Sequence, residues 1–326
     1  MKLLALLAGL LIERLATQLF HLRQLRWLDA LIDAGFRRAQ DMPGVPPILA
    51  VIALTFLLVL PLILLLVFFG HLLYDLAYLL MAIVILFFSL GPKDIGEQVD
   101  DYCLALEKED EDQVRQTAKA LLERDVPDDP MQRARDVEAA VCIQANNRLF
   151  SVIFWFVLLG PLAAWAYRVT DLIRRRAVFV AARAEEHEDE GENGDSEDKE
   201  DDTEGRDTSA DDRAHAVAEA AATLHGWLAW IPARLTALGF ALAGSYEQAI
   251  AAWRSPNGEP EHSSREQSEM LLARVGSAAL HLSSLPDESP AERGIRGAIA
   301  ANGLVFRLLY IWGFFIALLT LADWFS

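Results

Sequence analysis

The residues of this chain whose types and spacing could do chemistry fall into a few short clusters. Tyr167-Arg168 is followed at once by Thr170-Asp171, so a phenol, a guanidinium, a hydroxyl and a carboxylate sit within about one helical turn. Asp171 has Arg168, Arg174 and Arg234 as candidate partners, either as a structural ion pair or as part of a binding site. Pro232-Ala233-Arg234-Leu235 sets an arginine between Trp227/Trp230 and an apolar run. Arg234 could grip a phosphate or carboxylate through paired N–H bonds, or lie at a membrane interface and reach lipid phosphates. The loop Ser255-Pro256-Asn257 offers Asn257 as a further candidate ligand. Glu13-Arg14 interrupts an apolar stretch. It reads either as a local helical salt bridge or as the floor of a polar cavity shared with Arg234.

No nucleophile or metal motif accompanies these clusters. GxxxxGK[ST], GxSxG and HExxH are all missing from the sequence. Cys103 and Cys142 are not in CxxC spacing, and the seven histidines show neither HxxH nor HxxxH spacing. The residues therefore indicate no catalytic set, no metal and no cofactor, but a candidate ligand site built from Glu13, Arg14, Tyr167, Thr170, Asp171, Arg234 and Asn257.

The elements that must position these residues are membrane helices. Ile48–Phe69 is 22 residues with only Thr55 polar, and Leu72–Leu90 is 19 residues with one ionisable group, Asp75. At about 1.5 Å of rise per residue, each run is roughly 30 Å long, which matches a hydrocarbon core. Gly70-His71 leaves room only for a tight hairpin tip. Phe150–Tyr167 is mostly apolar but broken by Gly160-Pro161, and Leu308–Ala322 is a final apolar segment flanked by Arg307 and Trp324. Residues 15–46 pair Arg23, Arg26, Arg37 and Arg38 with a leucine-rich face, a pattern that lies along a membrane surface. Pro232 reads as the first turn of a helix that continues to about Trp253. Strand signals are nearly missing, so the predicted class is all-α, a polytopic membrane protein.

The expected order is N-terminal apolar and amphipathic helices (1–46), a transmembrane hairpin (47–90), a soluble helical segment (91–149) and a Gly-Pro-broken membrane segment (150–167). A basic helix (168–184), a disordered acidic linker (185–213), a helical segment (214–302) and a C-terminal transmembrane helix (303–326) follow. The formal charge of −18 is concentrated in the linker, where Glu185–Arg213 holds 16 acidic against three basic side chains. Such a tract has almost no apolar area to offset the cost of ordering it, and its sign argues against nucleic acid as a partner.

Several segments in order resemble a known membrane family. They are Arg133-Ala134-Arg135-Asp136, Asn147-Arg148-Leu149-Phe150 through Phe154-Trp155-Phe156, Gly160-Pro161 with Tyr167-Arg168, and Trp230-Ile231-Pro232-Ala233-Arg234-Leu235 with Ala241–Gly244. Together they resemble the AmpE proteins of Gram-negative bacteria, relatives of the cobalamin-pathway synthases known as CobD or CbiB. The resemblance implies a multi-pass protein of the bacterial inner membrane. It also implies a non-catalytic regulatory role linked to β-lactamase induction, with a cell-wall-recycling or signalling protein as partner beside the lipid bilayer. The alternative it implies is an ATP-dependent, amide-forming synthase. That chemistry needs carboxylates to hold Mg²⁺ against phosphates. Where the synthases read Glu-Asn-x-x-Asp this chain reads Ala145-Asn146-Asn147-Arg148-Leu149, and His225-Gly226 stands where they have an Asp-Asp pair. The loss of four carboxylates from a retained scaffold favours the regulatory reading.

Counting every apolar run as a span gives five crossings and puts basic stretches 21–46 and 168–183 on opposite sides, against the positive-inside tendency. If Met1–Phe20 and Phe150–Tyr167 do not fully cross, the charged regions share one side, the cytoplasmic one. That arrangement is the expectation.

Overall fold

The computed structural model describes residues 26–40, 45–69, 75–89, 95–192, 204–255, 263–283 and 285–325. Glu13, Arg14, the Gly70-His71 tip and Asn257 lie outside them. The fold is all-α, and no strand occurs among the described residues. In chain order the helices are α1 (Arg26–Gln40), α2 (Pro47–Phe69), α3 (Asp75–Ser89), α4 (Ile95–Glu107), α5 (Glu111–Leu122) and α6 (Pro130–Ala145). A π-helical turn, Asn146–Phe150, leads into α7 (Ser151–Leu159). Then come α8 (Pro161–Glu192), α9 (Glu204–Ala243), α10 (Tyr246–Arg254), α11 (Ser264–Leu280) and α12 (Pro290–Phe325).

Local chemistry sets many of these boundaries. Asp110 caps α5 by accepting from the Gln113 N–H, and Asp129 caps α6 by accepting from the Met131 and Gln132 N–H groups. Ser263 and Glu266 form a reciprocal capping box at α11. Gly160 ends α7 at φ 93° and ψ −169°, a region open essentially to glycine alone, and Pro161 starts α8 where its missing N–H costs nothing. At Gly244 an added Cβ would lie 2.4 Å from the Ala279 carbonyl oxygen. That close approach, with Ser245 N–H donating to the same oxygen at 2.7 Å, separates α9 from α10. The expected single helix running to about Trp253 is thus two helices.

Among the described residues, three apolar cores hold the helices together. The largest joins α4, α5, α6, the end of α9, α10, α11 and the first half of α12 around Tyr102, Leu121, Phe240 and Val275. A second joins α1, α2, α8 and α9 through Leu28, Ile32, Val51, Ile173 and Ala221. The third joins α3, α7, α8, α9 and α12 through Leu86, Ile153, Phe156, Tyr167 and Ile316.

Among the described residues, four stretches are long and apolar enough to cross a membrane: Pro47–Leu65, Pro130–Leu159, Asp212–Ala243 and Pro290–Leu319. Within their most apolar windows the first and last are only 22% buried by protein, whereas the middle two are 67% and 56% buried. The exposed apolar faces of α2 and α12 therefore need lipid, while α6–α7 and α9 are covered largely by other helices.

Three expectations are corrected. Helix continues through Glu192 and resumes at Glu204, so the acidic tract is not a linker from end to end; residues 193–203 lie outside the described residues. Extending a packed helix costs only propagation, and the flanking Ala, Glu and Arg residues favour it. Pro290–Phe325 is one helix rather than two, because no proline interrupts it and Gly303 meets no packing demand that would break it. Pro232 lies inside α9 rather than at a helix start.

The proline is tolerated for a specific reason. A proline has no N–H for the carbonyl four residues back, which here belongs to Leu228. The Trp155 indole N–H of α7 donates to that oxygen at 3.2 Å. Trp155→Phe should therefore keep the packing but strand the carbonyl, lowering stability by about 1–3 kcal/mol. Chemical or thermal unfolding in mild detergent would show it, and an unchanged midpoint would mean that the carbonyl finds another donor.

Candidate functional site

The three cores leave between them a polar centre built mainly on α8. Positions 168, 171, 174 and 175 share one face of that helix by their spacing of three and four. Asp171 is fully buried. Its Oδ2 accepts from Arg168 Nη1 at 2.8 Å and Arg175 Nε at 2.9 Å, and its Oδ1 accepts from Arg174 Nη2 at 2.9 Å. The expected alternatives thus separate: Asp171 pairs with Arg168 and Arg174, gains Arg175, and does not pair with Arg234.

A second carboxylate faces the same arginines. Glu123 caps the C-terminus of α5 at φ 54° and ψ 26°, a left-handed position where glycine is the usual choice. Its Oε1 accepts from Arg148 Nη2 at 2.9 Å and from Arg175 Nη1, and its Oε2 from Arg174 Nη2 at 3.2 Å. Arg148 comes from the π-helical turn, the local irregularity that often marks functional sites. Its Nε donates to Gln144 at 2.9 Å and its Nη1 to Gln98 at 2.7 Å. Tyr167 and His225 close the far side, Tyr167 Oη lying 3.1 Å from His225 Nε2, which is 3.6 Å from Asp171 Oδ1.

Four guanidiniums therefore surround two carboxylates. Burial alone would raise the Asp171 pKa, but Arg175, Arg174 and Arg168 outweigh it and hold the group well below the usual carboxylate range. Glu123 is likewise opposed by burial, yet Arg175, Arg174 and Arg148 bring it down to about 2. Burial lowers Arg168 to about 10 despite Asp171 beside it. The side-chain nitrogens Arg168 Nε, Arg174 Nε and His225 Nδ1 are buried without a hydrogen-bond partner. Among the described residues the centre thus has two positive charges in excess, and spare donors.

A cleft of about 450 Å³ reaches this centre, lined by Glu123, Gln144 and Arg174 among others. Two of its outer acids are already paired, Asp136 with Arg124 and Glu269 with Arg265, both at 2.8 Å. An anionic group entering the cleft would meet Arg174. A Mg²⁺ ion would not be suited here. Every oxygen of Asp171 and Glu123 is engaged by a guanidinium, and no cluster of three His, Cys, Asp or Glu side chains among the described residues could hold a metal. In the Ala145–Leu149 segment Arg148 belongs to the centre and Asn147 lines the cleft, while Asn146 serves the fold, donating to Asn147 Oδ1 at 3.0 Å and accepting from Thr236 at 3.0 Å.

The other sequence candidates are placed as follows. Thr170 donates to the Ala166 carbonyl at 2.9 Å, an ordinary back-bond within a helix. Arg234 stacks on Trp230, with its guanidinium carbon 3.7 Å from the ring centroid, and donates to the Trp230 carbonyl at 3.0 Å. It stands apart from the α8 cluster, on a face with exposed Trp227, Trp230 and Ile231, as an interfacial arginine would. Glu123 and Gln98 are not candidates in the sequence, and Arg148 figures there only within the family-like motif Asn147–Phe150; their positions in the fold bring them to the site.

Comparison with known proteins gives a consistent answer. The family described as "CobD/Cbib protein" matches residues 4–174. "Cobalamin biosynthesis protein CobD" from Stutzerimonas stutzeri (strain A1501) is 25% identical over 256 residues, covering 75% of this chain and 73% of that protein. No solved structure matches. Neither match distinguishes the AmpE type within the wider group. The matched region runs through the π-helical turn and the Gly-Pro break and ends on Arg174, within the arginine face of α8, and by that match the chain belongs to the CobD/CbiB family.

Proposed function

We propose that this chain works in the bacterial inner membrane on the substrate class of its family, as an amide-forming synthase of the cobalamin pathway. The relative named for cobalamin biosynthesis supports this reading over the regulatory one that the AmpE resemblance implies. The observation that carries it is the buried excess of guanidinium charge, opened by a cleft at Arg174. A carboxylate or phosphate of the substrate would replace water there at low desolvation cost, because the positive charge is already in place. Asp171 would then act through Arg168, Arg174 and Arg175, fixing where the guanidiniums point, with Tyr167 and His225 closing the far side. No step through Mg²⁺ is assigned, since the donors present do not suit the ion.

One observation favours a second reading. Both carboxylates of the centre are saturated by arginine, and the Glu-Asn-x-x-Asp positions hold Ala145 and Leu149. A protein that keeps recognition of an anion but has lost phosphate chemistry would act as a non-catalytic regulator of the AmpE type, with a cell-wall-recycling or signalling protein as partner.

Complementation separates the two. Expressed in a strain lacking the cobalamin-pathway synthase, the chain should restore growth that depends on the amide product, and Arg174→Ala should reduce that rescue by at least about tenfold. If folded, membrane-inserted protein gives no rescue while its deletion in the source organism alters β-lactamase induction, the regulatory reading replaces the first.

A further inference from the structure

A second cavity, about 1030 Å³ in volume, lies between α1, α2, α3 and the start of α8. It shares no lining residue with the cleft at the arginine centre. Its walls are apolar, with Leu31, Leu54, Pro61, Phe88 and Trp165 among them. The helices meet beside it at Gly35, where an added Cβ would fall 2.5 Å from the Leu54 side chain. Its volume is at the upper end of the range for small-molecule sites, about 300–1,000 Å³. One wall is α2, a helix that fits a membrane span and is mostly uncovered by protein.

The chemistry at the rim is specific. Among the described residues, Arg38 is the one charged residue lining the cavity. It sits in the last turn of α1, beside Arg37. The carboxylate nearest along that helix, Asp33, is committed elsewhere: its Oδ1 and Oδ2 each lie 2.7 Å from Arg176, accepting from Nε and Nη2. So the rim presents positive charge above an apolar chamber, on an amphipathic helix with a basic end. That is the pattern of a helix lying at the headgroup level of a bilayer.

We infer that this cavity is a binding site for an anionic phospholipid, with the headgroup phosphate on Arg38 and an acyl chain along the Leu54–Pro61 face of α2. The site is independent of the cobalamin reading, since none of its residues belongs to the arginine centre. Through the Asp33–Arg176 bridge it is joined to α8, the helix that carries Asp171 and Arg174.

Native mass spectrometry on the full chain in mild detergent tests this. After incubation with phosphatidylglycerol or phosphatidylcholine, the protein should retain one phosphatidylglycerol under collisional activation and much less phosphatidylcholine. Arg38→Glu, at an exposed position, should weaken phosphatidylglycerol retention by at least about fivefold, the effect of one interfacial charge. Ala53→Trp, a lining position on the exposed face of α2, should abolish it by filling the chamber. Equal retention of the two lipids, or retention unaffected by Arg38→Glu, overturns the inference. Should Ala53→Trp fail to fold, the Arg38→Glu comparison and the two-lipid comparison still decide it.

Discussion

Asp171→Ala is expected to lower stability by about 3–5 kcal/mol, which is comparable to much of the net stability of an ordinary domain. The reason is not the loss of three hydrogen bonds as such. Arg168 and Arg174 are nearly as buried as Asp171, with side chains 3% and 4% exposed. Without the carboxylate, Glu123 alone among the described carboxylates of the centre would oppose four guanidiniums, three of them on side chains less than a tenth exposed. Breaking a buried ion cluster from one side leaves charge uncompensated, and this costs far more than breaking a surface pair. The Asp33–Arg176 bridge is the built-in comparison. It is just as short, but its side chains are 25% and 30% exposed, so Asp33→Ala should cost no more than about 1 kcal/mol. Thermal unfolding of the two variants in the same detergent, beside wild type, measures the contrast. Similar small losses in both would mean that water reaches the α8 centre freely, and the electrostatic account of the site would fail.

How much of this was legible in the sequence depends on how local each feature is. The apolar α2 and the Gly160-Pro161 break could be read because both are set by consecutive residues. The arginines around Asp171 could be read in part, since positions 168, 174 and 175 are three or four residues from 171 on one helix face. Arg234 competed with them because sequence does not reveal which way a residue 63 positions away will face. The fold turns Arg234 outward onto Trp230 and brings in Glu123, 48 residues before Asp171, which no periodicity connects to it. Pro232 misleads for a related reason. The rule that proline starts helices assumes that the carbonyl one turn back has no other donor. Here Trp155, from a different helix, supplies one. The regulatory reading arose from what the Ala145–Leu149 segment lacks, and the arginine-rich centre was invisible until α5, α6 and α8 were packed together.

The pH response of Glu123 provides the second large effect. Its ordinary pKa of 4.5 falls to about 2 in the folded protein, because Arg175, Arg174 and Arg148 outweigh the opposing effect of burial. A folded pKa below the unfolded value means that the unfolded chain takes up a proton first as pH falls. The stabilisation from Glu123 is therefore complete above about pH 4.5 and is lost progressively down to about pH 2. At 1.36 kcal/mol per unit, a shift of this size amounts to at most roughly 3 kcal/mol, reduced somewhat because the side chain is 21% exposed. Glu123→Gln keeps the shape and the left-handed cap but removes the charge. At pH 7 it should be less stable than wild type by about 2–3 kcal/mol, and the gap should close as pH falls from 5 to 2.5. Unfolding midpoints for both proteins across that range provide the measurement. The carboxylates outside the centre lower both curves alike, so the difference reports the Glu123 charge in its arginine surroundings. A gap that stays constant with pH would show that the amide is unfavourable there for steric or hydrogen-bonding reasons. The guanidinium excess would then have to be neutralised by something other than Glu123, and the charge balance that makes the cleft attractive to an anion would have to be redrawn.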